Sequence, residues 1–147
     1  MSLKDRIQDD MKSAMRAKDK ERLATIRLIL AAVKQREVDE RIALDDEQVI
    51  EVLDRMAKQR RESIAQYSDA GRDDLAARES FELDIIKTYM PETISDADLN
   101  ALIEQSINAQ NAVTMRDMGK VMALIKPQVQ GKADMGAVSQ MLKKRLH

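Results

Sequence analysis

Cysteine and tryptophan are absent from this chain, and its only histidine is the last residue, His147. The lack of cysteine rules out a disulfide framework, a thiol nucleophile and a thiolate metal site. A single terminal histidine leaves neither a zinc site of His and Cys nor a Ser-His-Asp triad. Four Gly, two Pro and one Phe give little material for turns or strands. No apolar run approaches the roughly 20 residues that span a bilayer, so no membrane contact is expected. The start, Met1-Ser2-Leu3-Lys4-Asp5, goes directly into charged helix without an apolar signal core, and a cytoplasmic location is expected.

What is present is helical material. Apolar residues make up 44% and charged residues 35% of 147, the composition of a globular protein with one core or two small ones. Ser2 to Asp5 reads as a capping box opening a helix to about Lys18, with Leu3, Ile7, Met11, Ala14 and Met15 at helical spacing. Asp19 caps a second helix carrying Leu23, Ile26, Leu30 and Val33, widened by Leu28 and Ile29, that fades into Glu37-Val38-Asp39-Glu40-Arg41. Asp45 or Asp46 opens a third, with Val49, Val52, Leu53, Met56, Ala57, Ile64 and Tyr67 on one side. After Ala70-Gly71-Arg72, Asp73 or Asp74 opens a fourth, with Leu75, Ala76, Phe81 or Leu83, Ile85, Ile86 and Tyr89. Met90-Pro91 ends it, because the residue before proline is pushed out of the helical region.

Three smaller helices are predicted beyond Pro91. Ser95 caps the first, Thr114 the second and Asp134 the third, Asn108 to Asn111 forms a loop, and Pro127 stops the middle helix. The expected fold is therefore all-α: four helices over residues 1–90 packed as an irregular antiparallel bundle, then a three-helix tail over 91–147, hinged at Met90-Pro91. Ten methionines fall mostly in the apolar stripes and are expected to fill gaps in the core.

Two charge features stand out. In the third helix the apolar row is interrupted at Arg60 or Arg61, and an arginine facing a neighbouring helix must be paired or must snorkel. Glu79, Glu82 and Asp84 are available, so an interhelical ion pair is the expected role. The functional alternative is a partner surface of Lys58, Arg60, Arg61, Tyr67 and Arg72. The second feature is the stretch from Val113 onward, where Arg116, Lys120, Lys126, Lys132, Lys143, Lys144 and Arg145 face only Asp117 and Asp134, a surplus of +5 in a chain of net charge −1. Such asymmetry suggests a polyanion-binding surface, nucleic acid most often; the plain alternative is a solvated basic helix end.

Catalytic constellations are missing. No glycine-rich phosphate loop precedes a basic helix. Asp45, Asp46 and Glu47 sit at a helix start, and Asp9 and Asp10 are read as exposed. Lys58 and Ser63 lie five residues apart, about 140° around a helix, which discards a Ser-Lys nucleophile. No catalytic residue, cofactor or metal is expected.

The segment from Tyr89-Met90-Pro91 through Asp117-Met118-Gly119-Lys120-Val121-Met122, Lys126-Pro127, Gly131-Lys132-Ala133-Asp134 and Lys143-Lys144-Arg145-Leu146 resembles the tail domain shared by YqeY-like proteins and the GatB component of the tRNA-dependent amidotransferase. The first part also resembles YqeY-like proteins, through Thr25 to Lys34, Lys58-Gln59-Arg60-Arg61-Glu62-Ser63-Ile64, Tyr67 and Ala70-Gly71-Arg72. The sequence departs from the pattern at Met135-Gly136, where many relatives place Gly-Lys, which removes a basic side chain from the last helix start. The resemblance implies an all-helical, two-part protein whose tail contacts tRNA, while the amidotransferase's ammonia and ATP chemistry resides in parts this chain lacks. The expected function is a non-catalytic, monomeric accessory binding tRNA or another structured RNA through the seven cations. A helper in glutamine-dependent carbon–nitrogen ligation, working with amidotransferase components, and a protein-interaction adaptor are the alternatives.

Overall fold

The structure is a computed structural model and describes residues 1–146. Its regular elements are α1 (Leu3–Ala17), α2 (Lys20–Glu40), α3 (Asp46–Asp69), α4 (Asp73–Lys87), α5 (Asp96–Ala109), a 3-10 turn (Met115–Asp117), α6 (Met118–Val129) and α7 (Met135–Arg145). Among the described residues there is no strand, and the fold is all-α. The chain forms two compact units that divide between Met90 and Pro91.

Short polar side chains set the helix starts. Ser2 Oγ accepts from Asp5 N at 3.1 Å, Asp19 Oδ1 from Arg22 N at 3.3 Å, and Ser95 Oγ from Asp98 N at 3.1 Å. Asp45 makes the full reciprocal box, accepting from Gln48 N at 2.9 Å while Gln48 Oε1 accepts from Asp45 N at 3.0 Å. Each such cap contributes about 1 kcal/mol. The α1 helix ends at Ala17 because Lys18 turns left-handed at φ 56°, sending its N–H back to Ala14 and Met15. Left-handed Arg41 (φ 57°) ends α2 in the same way, so the charged run Glu37 to Glu40 is helix and not a fading end.

In the first unit α1 packs on α2 and α3 on α4, with α2 also touching α3 and α4. The core joins Ile7, Ile26, Ile29, Val33, Val49, Leu53, Met56 and Ile86. Leu44, in the α2–α3 connection, is buried there too. In the second unit Leu99 and Ile103 of α5, Val121, Ile125 and Val129 of α6, and Val138, Leu142 and Leu146 form a separate cluster.

Several sequence expectations change. Pro127 does not stop α6, which continues to Val129. Proline removes one backbone donor, and in a last turn that leaves a single carbonyl without its helical partner. Fully buried Val129 anchors the extra residues, and the helix ends before left-handed Gly131 (φ 78°). At the choice between Phe81 and Leu83, Leu83 is buried and Phe81 is 40% exposed. Leu28 and Met15 lie on solvent faces rather than in the stripes. The expected loop at Asn108 begins later, since α5 runs to Ala109.

Candidate nucleic-acid interface

Arg116 sits in the 3-10 turn, Lys120 and Lys126 on α6, Lys132 in the α6–α7 connection, and Lys143, Lys144 and Arg145 in the last turn of α7. All seven are exposed. None makes an ion pair among the described residues, while Arg145 Nη2 donates to Asn100 Oδ1 at 3.4 Å. The two acids of the same stretch are tied to backbone. Asp117 Oδ2 accepts from Val113 N at 3.0 Å and Thr114 N at 3.2 Å. Those two N–H groups hold its carboxyl below the usual carboxylate range, with Lys120 adding a smaller attraction. Asp134 Oδ1 accepts from Gly136 N at 3.1 Å at the start of α7.

The cations do not form one stripe. Lys120 and Lys126, six residues apart, point about 120° apart around α6. Lys143 and Lys144 diverge by about 100°. Arg145 is directed toward α5 through Asn100. A cationic last turn also complements the α7 dipole, which is an ordinary structural role for those three residues. Next to Lys120, a Cβ built on Gly119 would meet nothing within 4 Å. Glycine in a helix interior costs up to about 1 kcal/mol relative to alanine, and among the described residues no packing requires it at this first-turn position.

The arginine break in α3 is resolved as an ion pair. Arg60 Nε lies 3.2 Å from Glu82 and 3.8 Å from Glu79, half-buried between α3 and α4, while Asp84 takes no part. Lys58 and Arg61 are exposed, Tyr67 is half-buried, and Arg72 pairs with Asp74 at 3.2 Å on the surface. Arg72 holds the Asp74 carboxyl low. Three further groups were not read from the sequence. Lys4 Nζ reaches Glu37 at 2.8 Å, and Glu37 also accepts from Leu44 N at 2.9 Å; Lys4 first, then Leu44, lower its carboxyl. Arg36 pairs with Glu40 and, at 2.9 Å, with Glu51, joining α2 to α3. Asp10 is half-buried and not free, for Tyr89 donates its hydroxyl to Asp10 Oδ2 at 2.6 Å while Arg6 lies 5.0 Å over the ring. Burial, then Asp10, push the Tyr89 phenol up to about 12. Each of these groups includes a pair far apart in sequence, so local spacing carries no signal of it.

Among the described residues no group of His, Cys, Asp and Glu could hold a metal ion, and no helix is long and apolar enough to cross a membrane. The architecture is that of a two-unit, all-helical protein whose second unit carries exposed cations that make no ion pair among the described residues. The chain belongs to the YqeY-like protein family, whose model matches residues 4–146. It is similar to altered inheritance of mitochondria protein 41, mitochondrial, of Eremothecium gossypii, at 40% identity over 85 residues, 57% of this chain and 46% of that protein. The protein of the same name from Vanderwaltozyma polyspora is 31% identical over 119 residues, 76% of this chain and 64% of that protein. The chain thus spans about half to two thirds of the length of these relatives. They also correct the expected cytoplasmic location, since they are named mitochondrial proteins. The lack of an apolar secretory core or a spanning helix does not report on mitochondrial import, which uses amphipathic, arginine-rich leaders.

Proposed function

We propose that this protein is a non-catalytic accessory that binds structured RNA, tRNA by preference, through its second unit. The observation that carries the reading is the set of seven exposed cations that make no ion pair among the described residues, in a stretch whose only two acids are bound to helix-start backbone. Such groups contact phosphates and position a ligand without reading bases. Their spread over a 3-10 turn, two helices and a connection suits a folded RNA surface better than a straight groove. Aromatic platforms for unstacked bases are missing from the second unit, which disfavours single-stranded RNA. The resemblance to the amidotransferase tail supports tRNA as the ligand, and the relatives' names support a mitochondrial setting.

Titration of the full chain with tRNA at several salt concentrations tests this. Affinity should fall steeply with salt, and Lys120→Glu with Lys143→Glu should weaken it roughly 10–100-fold at low salt. Binding no tighter than to bulk duplex DNA would remove the tRNA preference, and a salt-insensitive affinity would remove the phosphate contacts. Gly119→Ala gives an independent reading: it should stabilise α6 and weaken tRNA binding if a phosphate approaches the open first turn.

A further inference from the structure

Another concentration of positive charge lies in the first unit and is not part of the site above. Between Lys12 and Arg36 there are eight Lys/Arg against Asp19 and Glu21, a surplus of +6. Asp19 is the cap of α2, which leaves Glu21 as the only other carboxylate in this stretch. Among the eight, Arg36 is held by Glu40 and Glu51. Lys12, Lys20, Arg27 and Lys34 are exposed and, among the described residues, make no hydrogen bond or ion pair.

Helix geometry puts three of these in one row. Lys20, Arg27 and Lys34 are spaced by seven, so each step advances about 10.5 Å with only about 20° of drift. Exposed Ala24 and Ala31 lie beside them and raise only methyl groups above the helix. Lys34 and Leu30 line a groove of about 310 Å³ between α1 and α2, and Lys12 enters the same groove from α1. The one carboxylate in the groove, Glu37, is already matched by Lys4 at 2.8 Å and by Leu44 N at 2.9 Å. The row therefore faces solvent along about 21 Å of α2, with a weak attraction between Lys34 and Glu37 at its far end.

We propose that the outer face of the α1–α2 hairpin is a second phosphate-binding surface, built by Lys12, Lys20, Arg27 and Lys34, that takes the backbone of a structured RNA. A row of this length spans several successive phosphates of one strand and is too long for a small anion. The low side chains of Ala24 and Ala31 let a sugar–phosphate backbone lie close to the helix. The ligand's identity rests on the RNA reading, whereas the surface stands on the first unit alone.

The test compares two variants of the full chain, Arg27→Glu with Lys34→Glu on the hairpin and Lys120→Glu with Lys143→Glu on the tail, each titrated with tRNA over a salt series. The hairpin variant should bind roughly 10–100-fold more weakly at low salt, with a salt slope smaller by about two. Unchanged thermal melting checks that it folds, and Arg27→Gln with Lys34→Gln should give an intermediate loss. If the hairpin variant keeps wild-type affinity and slope while the tail variant loses both, this inference is overturned and the tail reading stands. Loss in the hairpin variant alone supports this surface and removes the tail. If polyglutamate binds wild type more tightly than tRNA does and the hairpin variant loses that binding, the surface serves an acidic protein and the RNA proposal is overturned.

Discussion

The two units differ in how far their charges pair across helices. In the first, Lys4–Glu37, Arg36–Glu51 and Arg60–Glu82 each join two helices. In the second, exposed cations stand without ion pairs among the described residues, and acids and a serine cap helix starts. A count of charged residues does not distinguish these uses. The distinction lies in whether a carboxylate on a neighbouring helix can reach the cation, as Glu82 reaches Arg60, and that decides whether the charge stabilises the fold or remains available to a ligand.

Core truncation should give the largest effect. Ile29→Ala in the first unit and Ile125→Ala in the second remove side chains that are both fully buried, and each should cost about 2–5 kcal/mol. Hydrogen exchange checks the comparison: the two clusters share no residue, so faster exchange should concentrate in the helices of the altered unit. Equal acceleration in both would mean that the units unfold as one.

Next is Arg60→Ala, expected to lower stability by about 1–3 kcal/mol, because Glu79 and Glu82 are left half-buried without their cation. Arg61→Ala, one residue away and exposed, should change stability by less than about 0.5 kcal/mol. Urea melts of the pair separate the packing arginine from its neighbour. An equal loss in both would show that the interhelical pair is not the source.

A smaller, pH-dependent effect is expected at Tyr89. Its phenol is raised in the folded state to about 12, above an unfolded value of about 10. The stabilisation is therefore fully present below about pH 10 and is lost as the pH rises through the folded value. Tyr89→Phe should lose about 1–2 kcal/mol near neutral pH through the missing bond to Asp10. The difference between wild type and this variant should shrink between about pH 10 and about 12. A difference that stays constant across that window would show that the bond to Asp10 is not formed in solution.

The smallest effect expected is on acid stability at Glu37. Lys4 and Leu44 N hold its carboxyl low, so its contribution is present above the unfolded carboxylate range and is lost as the pH falls through the folded value. Glu37→Gln should flatten that part of the acid limb in a pH series of thermal melts. A limb unchanged in shape would assign the loss to other carboxylates.

Helix starts were legible because caps are local: Ser2, Asp19, Asp45 and Ser95 each act on an N–H three residues on. Pro127 was misread for a related reason, since its effect depends on how many turns follow it and on whether a buried residue such as Val129 holds them. The seven tail cations were legible as charge, while their divergence around α6 and α7 became visible only with the helix bounds. The hairpin row was present in the sequence as a seven-residue spacing but was hidden by the near-neutral total.

The sequence by itself determined that the chain is helical, where most helices begin, that thiol chemistry and a zinc site of His and Cys are excluded, and that its last third is basic. These follow from residue types and from interactions within one helical turn. Only the tertiary structure decided which arginine pairs, since Arg60 and Arg61 are equivalent until α4 lies alongside. It alone joined Asp10 to Tyr89 across 79 residues and Lys4 to Glu37 across 33. Such contacts have no local signature, because the chain between the partners sets only whether they can meet, and the packing of the intervening helices sets whether they do.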